Sequence, residues 1–121
     1  MDERHRQALA EDPVVDITTT GRKTGKPRRI EIWIHDAGGR YIITGSPGRR
    51  DWYANLLAEP GLVVHLKRSA HADLPARATP ITDPAEKATL LRAAPRLARY
   101  VNDTTIAEWL EKSPMVEVTF G

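Results

Sequence analysis

Cysteine is absent from the 121 residues. Disulfides, thiolate metal sites and a cysteine nucleophile are excluded with it. Apolar runs are short, and none approaches the roughly 20 residues that a membrane-spanning helix needs. The first stretch, MDERHRQALAEDP, is charged from its second residue and has no apolar centre. A secretory signal is therefore not expected there, and a cytoplasmic protein is the default expectation. Aromatic residues are few: three Trp, three Tyr and one Phe. A surface for single-stranded nucleic acid interleaves stacking rings with its cations, and here the supply of rings is thin. An excess of one charge is also missing. Eighteen Lys and Arg stand against sixteen Asp and Glu, a formal net charge of +2, which is small for a dedicated nucleic-acid binder. The four histidines, His5, His35, His65 and His71, show no metal-ligand spacing, and surface or barrel-edge places are expected for each. No metal site is expected.

What the sequence does have is a local concentration of positive charge. In TTTGRKTGKPRRIEIW, five of the eight residues from Arg22 to Arg29 are Lys or Arg. They occupy a bend punctuated by Gly21, Gly25 and Pro27, between two runs rich in β-branched residues. One reading is a solvated charged loop that keeps a sheet edge from aggregating. The other is an anion site, in which glycines let the backbone approach a ligand and Lys and Arg donate to phosphate or carboxylate. The spacing is not that of a P-loop, since no helix follows.

The patterning predicts a single domain over residues 1–121, of α+β class. A short helix is expected from Asp2 to Glu11, ending before Pro13. Val14–Thr20 reads as a strand. Arg29–His35 alternates, with Ile30, Ile32 and Ile34 on one face. A turn at 36–39 leads to a strand at Arg40–Thr44. GSPGRR, residues 45–50, forms a second Gly/Pro/Arg loop, after which Asp51 is expected to cap a helix that Pro60 stops. Strands follow at Leu62–Lys67 and Ala72–Thr82. Asp83, Pro84 and Glu86 form a helix-start signature, with that helix running to about Ala94. Helix resumes over Thr104–Lys112, and Met115–Phe120 closes the chain as a strand. About six short antiparallel strands with peripheral short helices favour a small barrel over an open sheet.

Two motifs in order carry a resemblance. Gly21-Arg22-Lys23-Thr24-Gly25 with Arg28 closing the turn, then Trp52, Asn55, Leu56, Ala58 and Pro60 after a Gly-rich loop, resemble the deazaflavin (F420)-dependent nitroreductase family. The likeness is close from about Ile17 to Leu66. It implies a flavin-binding-like split β-barrel and an F420-dependent oxidoreductase of the nitroreductase or quinone-reductase kind. Such an enzyme passes a hydride from reduced coenzyme F420 to a nitroaromatic, quinone or enone. By the resemblance, Arg22, Lys23 and Arg28 would face the coenzyme's phosphate and glutamyl tail. Thr24 and Gly25 would hydrogen-bond the same phosphate. Ser46 and Gly48 would sit beside the ring, and Trp52 and Asn55 along the ring and ribityl chain. Tyr100 and Ser46 would be the candidates for catalytic proton donation, with water as a third.

Alternatives stay open beside these roles. Trp52 and Leu56, four apart, are also what a core-facing stripe looks like. Asn55 could cap or bridge, Tyr100 could be a core tyrosine, and Ser46 an ordinary turn serine. The same barrel could take FMN or another flavin-like ligand, though one phosphate does not call for five cations. It could also hold a coenzyme without turning it over. The expected partner is a small-molecule substrate, with a homodimer left open. Nucleic acid and stable membrane insertion are not expected.

Overall fold

The computed structural model describes residues 1–121. Its first hairpin pairs β1 (Val14–Thr20) with β2 (Pro27–Trp33), Thr20 opposite Pro27 and Val14 opposite Trp33. The chain then passes through Ile34 into β3 (His35–Ala37), which pairs with β4 (Arg40–Thr44). Gly38 and Gly39 make that hairpin's two-residue turn with φ of 65° and 94°, backbone that L side chains rarely adopt. β5 (Gly61–Lys67) and β6 (His71–Pro80) form the third hairpin, and β7 (Met115–Phe120) is the last strand. All pairings are antiparallel, in the order β2-β1-β5-β6-β7-β4-β3.

The two outermost strands of that order, β2 and β3, are halves of one segment that bends at Ile34. One stretch of chain thus supplies both edges of the sheet and curls it into a split barrel. The sequence reads residues 29–35 as one of six strands. The bend divides it into two, making seven, because each half finds a different partner. The expected α+β split-barrel fold is otherwise what is observed.

Inward-facing residues fill the barrel: Val15, Ile17, Ile34, Ile43, Val64, Val116 and Val118 form one cluster. α1 (Glu3–Glu11), capped by Asp2, adds Ala8 and Leu9, and α2 (Asp51–Ala58) adds Trp52 and Leu56. A second cluster lies outside the barrel. There α3 (Pro84–Ala93) and α4 (Ile106–Lys112) pack Leu90, Leu91 and Trp109 onto Ala37, Ile42 and Met115. Asp83 caps α3 by accepting from the Glu86 N–H at 3.0 Å, with Pro84 in the first turn, as expected. No helix is long and apolar enough to cross a membrane.

Two histidines are not at the surface. His35 is buried beside the Trp33 ring, and burial, reinforced by the positive charge of Arg96, pushes its pKa down to about 4. His65 is buried on the outer sheet face, its Nε2 2.7 Å from the Thr18 hydroxyl and its Nδ1 2.6 Å from Asp73. His65 meets its partners on neighbouring strands and Arg96 stands near His35 from beyond α3, contacts that a strand pattern read one segment at a time does not reveal.

Candidate functional site

The turn between β1 and β2 is built by its glycines. Gly21 N–H donates to the Lys26 carbonyl and Gly25 N–H to the Gly21 carbonyl, each at 2.8 Å. Gly25 has φ of 72°, the left-handed region where glycine carries no steric penalty. A Cβ on Gly21 would sit 3.1 Å from both the Lys26 carbonyl and the Thr24 hydroxyl. The turn therefore folds tightly back on itself and turns its side chains outward.

α2 lies against this turn. Asp51 is not the helix cap that the sequence suggests: it is the first helical residue, and Arg50 is the cap, with no side-chain cap bond. Its carboxylate instead accepts from Arg22 Nη2 at 3.2 Å. Buried Asn55 completes the tie. Its Oδ1 accepts from the Arg22 backbone N–H (3.2 Å) and from Arg22 Nη1 (2.9 Å), while its Nδ2 donates to Thr19 Oγ1 at 3.3 Å. Asn55 thus bridges helix and turn, with both ends of its amide engaged within the protein.

Between turn and helix lies a cleft of about 400 Å³ lined by Gly21, Arg22, Lys23, Thr24, Arg28 and Ile30, with Thr19, Asp51, Trp52 and Asn55 on its far wall. Six residues predicted from the sequence meet here: Arg22, Lys23, Thr24, Arg28, Trp52 and Asn55. Their charges differ in state. Arg22 is spoken for by Asp51 and Asn55. Lys23 and Arg28 have no carboxylate within ion-pair reach and no side-chain hydrogen bond in the protein. Arg29, the next residue on β2, points the other way and donates to Asp16 at 3.0 Å. Thr24 Oγ1 accepts from the Lys26 N–H at 3.2 Å, which leaves its own proton free to donate. Trp52 is only 7% exposed and serves two masters, part of the barrel core and wall of the cleft.

Other predicted residues lie elsewhere. Gly25 borders a neighbouring depression rather than this cleft, and its N–H is already used within the turn. Ser46 and Gly48 are in the loop before α2. There the Ser46 hydroxyl oxygen accepts from Arg50 Nη2 at 3.1 Å, and Gly48, with φ of 136°, borders a second cleft. Tyr100 is 56% exposed in the irregular segment between α3 and α4 and borders none of these depressions. It is not a core residue. Its place follows from the break after α3, where Leu97 turns inward to the second cluster and Tyr100 is left facing water.

Two participants are not among the residues the sequence singles out. Ile30 is 38% exposed because its side of β2 opens into the cleft, although the alternation assigns it to the core face with Ile34. Asp51 fixes Arg22 instead of capping the helix. The position of Ile30 beside the basic turn was the available signal for the first. The ion pair spans 29 residues of sequence and left none.

The lining fits an anionic ligand with phosphate or carboxylate groups. Two uncompensated cations, a free hydroxyl donor and tight glycine backbone stand on one side, with an indole and an isoleucine for an apolar body. The sequence model of the F420H(2)-dependent quinone reductase family matches residues 3–119. Among solved structures, an F420-H2-dependent reductase is similar at 27% identity and TM-score 0.61, covering 88% of this chain and 94% of its own. A domain-swapped dimer is similar at 25% identity and TM-score 0.59, over 88% of this chain and 80% of that one. A Listeria innocua protein, provisionally described as a pyridoxamine 5′-phosphate oxidase, shares the fold with TM-score 0.73 at 8% identity. It covers 98% of this chain and 91% of its own.

Proposed function

The chain belongs to the F420H(2)-dependent quinone reductase family, and from that premise we propose that it transfers a hydride from reduced coenzyme F420 to a small oxidised organic substrate. Nitroaromatics, quinones and enones are the substrate class. The observation that carries this reading is the pair Lys23 and Arg28, charged and without protein partners on one side of the cleft.

F420, when bound, supplies the hydride; the protein supplies placement and electrostatics. Lys23 and Arg28 hold the phosphate and acidic tail, assisted by the Thr24 hydroxyl. Arg22 lines the same cleft with part of its guanidinium already engaged. Locked to Asp51 and Asn55, it fixes the turn against α2, so the other two cations need no reordering when the ligand arrives. Trp52 and Ile30 offer the apolar surface for the flat ring system. Ser46, in the loop that leads into α2, is one of the two candidate proton donors. Its oxygen accepts from Arg50, so its O–H remains free to protonate the reduced substrate. Tyr100 is the second candidate. A cytoplasmic homodimer completes the reading, supported by the domain-swapped dimer among its structural relatives.

Fluorescence titration with F420 and FMN tests the coenzyme. F420 is expected to bind at least about tenfold more tightly, since it places more negative charge against the two free cations. Added salt should weaken it, because the contacts are ionic. Equal affinities would remove the deazaflavin assignment and leave an FMN-type binder. Tight F420 binding without oxidation of its reduced form by quinone or nitroaromatic would mark a protein that only sequesters the coenzyme.

A further inference from the structure

On the other side of α2, away from the basic turn, lies a second cleft of about 490 Å³, lined by Gly48 and Arg49 of the loop before α2, by Tyr53, and by Lys112, Ser113 and Pro114. Trp52 walls the first cleft and Tyr53 the second, their rings edge to face with centroids 5.8 Å apart. Gly48 N–H donates to the Lys112 carbonyl at 3.3 Å, which ties the loop to the end of α4.

Lys87 of α3 borders this cleft and is the most deeply buried cation in the chain, 5% exposed. Its ammonium donates to the Ser113 carbonyl at 2.8 Å. That is its only protein partner, and no carboxylate stands within ion-pair reach. The contrast with other cations is direct: Arg22, Arg29, Arg40, Lys67 and Arg68 all meet a carboxylate. An ammonium has three N–H donors, and burying a charge without a counterion is costly. Burial accordingly holds the Lys87 pKa below the usual lysine value. Around it, Arg49 and Lys112 add two cations without side-chain partners, and Glu111 is the single acid on the rim. The hydroxyls of Tyr53 and Thr82 are further donors with no partner in the protein.

We infer that this cleft is a second anion-binding site, in which Lys87, supported by Arg49 and Lys112, takes a small oxyanion bearing a carboxylate or phosphate group. The anion supplies the counter-charge that the fold withholds from Lys87, and Tyr53 and Thr82 complete its hydrogen bonds. The site exists independently of whether F420 fills the first cleft. Its placement across α2 suits a group on a second reactant better than one on the same ligand, since the helix and its two aromatic rings stand between the clefts.

The test uses the Lys23→Ala/Arg28→Ala double variant, so that binding in the first cleft does not interfere. Inorganic phosphate and benzoate are titrated separately while the Lys87 side-chain Cε–Hε resonance is followed by NMR. Saturable binding of at least one anion is expected, together with a rise in the Lys87 pKa, since an adjacent negative charge favours the ammonium. Lys87→Met and Arg49→Ala are each expected to weaken that binding by about tenfold or more. Lys87→Met puts an apolar chain in a buried place, and Arg49→Ala lies on an exposed loop, so at least one of the two reports on a folded protein. A Lys87 resonance indifferent to both anions would overturn the inference, as would undiminished affinity in both variants. A response equal to that of chloride at the same ionic strength would overturn it too, by reducing the effect to screening.

Discussion

The hairpin of β1 and β2 carries cations at its turn and along its strands, and the two sets are treated differently. On the outer face beside Asp16, the cations of β2 and of its neighbour β5 are matched. Arg29 and Lys67 both meet Asp16, and Lys67 also reaches Glu31 across the outer face. At the turn, a few residues away, Arg22 is matched by Asp51 while Lys23 and Arg28 are left open toward a cleft. The strand charges belong to the sheet, where pairing across neighbours blunts a polar surface. The turn charges belong to whatever enters the cleft. Net charge conceals this difference, because it sums the two sets.

The sharpest way to break that comparison is to remove the open cations. Lys23→Ala and Arg28→Ala are each expected to weaken F420 binding by about 10- to 100-fold, the worth of a hydrogen bond to a charged group. Thermal stability should stay within experimental scatter, since neither side chain has a partner in the protein to lose. If fluorescence titration gave unchanged affinity in both variants, the turn would be a solvated loop and nothing more.

Asn55 sharpens the comparison from the other side, because it supports the turn without being free to bind. Asn55→Ala leaves the Arg22 N–H and the Thr19 hydroxyl without their buried partner. That should cost about 1–3 kcal/mol of stability, read from denaturant unfolding. Coenzyme affinity should fall too, by less than about tenfold, because the turn loosens while both open cations remain. A loss of affinity without any loss of stability would mean that Asn55 touches the ligand directly.

Smaller still is the effect expected on the strands. The Lys67 ammonium, and then the Arg29 guanidinium, hold the Asp16 carboxyl below its usual pKa. A carboxylate whose folded pKa is depressed contributes stability that is present above its unfolded value of about 4. That contribution is lost as the pH falls from there through the folded pKa. Asp16→Asn is therefore expected to lower stability at pH 7 by no more than about 1 kcal/mol, because the pair is partly solvated. The difference from the parent protein should close as the pH is taken below 4. F420 affinity should not change. An equal deficit at pH 3 and pH 7 would assign the loss to packing rather than charge.

Much of this was legible in the residues themselves. β1, β4 and β7 are visible in runs such as VVDITTT and MVEVTF, and the start of α3 in Asp83, Pro84 and Glu86, because those signals are local. The two motifs also gathered Arg22, Lys23, Thr24, Arg28, Trp52 and Asn55 at what is one cleft. What stayed hidden depends on contacts distant in sequence. The bend at Ile34 exists because β2 and β3 find different partners, β1 and β4. Nothing in RRIEIWIHDA announces that. Asp51 looked like a cap because its helix follows directly, yet Arg22, on the neighbouring hairpin, claims its carboxylate. His35 and His65 looked peripheral because only the assembled fold buries them.

Tyr100 gives the comparison its final test, and the smallest expected change. Like Lys23, it presents an exposed polar group, in its case a hydroxyl that makes no hydrogen bond of its own. If lack of a partner were enough to mark function, Tyr100 would qualify. It differs in place: it lies in the segment after α3 and borders none of the clefts beside α2. A positioned proton donor contributes about 100- to 10,000-fold to a rate, and only within hydrogen-bond reach of the reacting atom. Ser46 borders neither cleft either, but it lies in the loop that leads into α2, with its O–H unengaged. Tyr100→Phe keeps the ring and removes only the oxygen, so coenzyme affinity and stability should be unaltered. Turnover with a quinone or nitroaromatic should stay within about twofold, far below what loss of a proton donor would produce. A loss of about a hundredfold in single-turnover kinetics would instead make Tyr100 the donor. It would also require the segment between α3 and α4 to fold over the cleft when substrate binds.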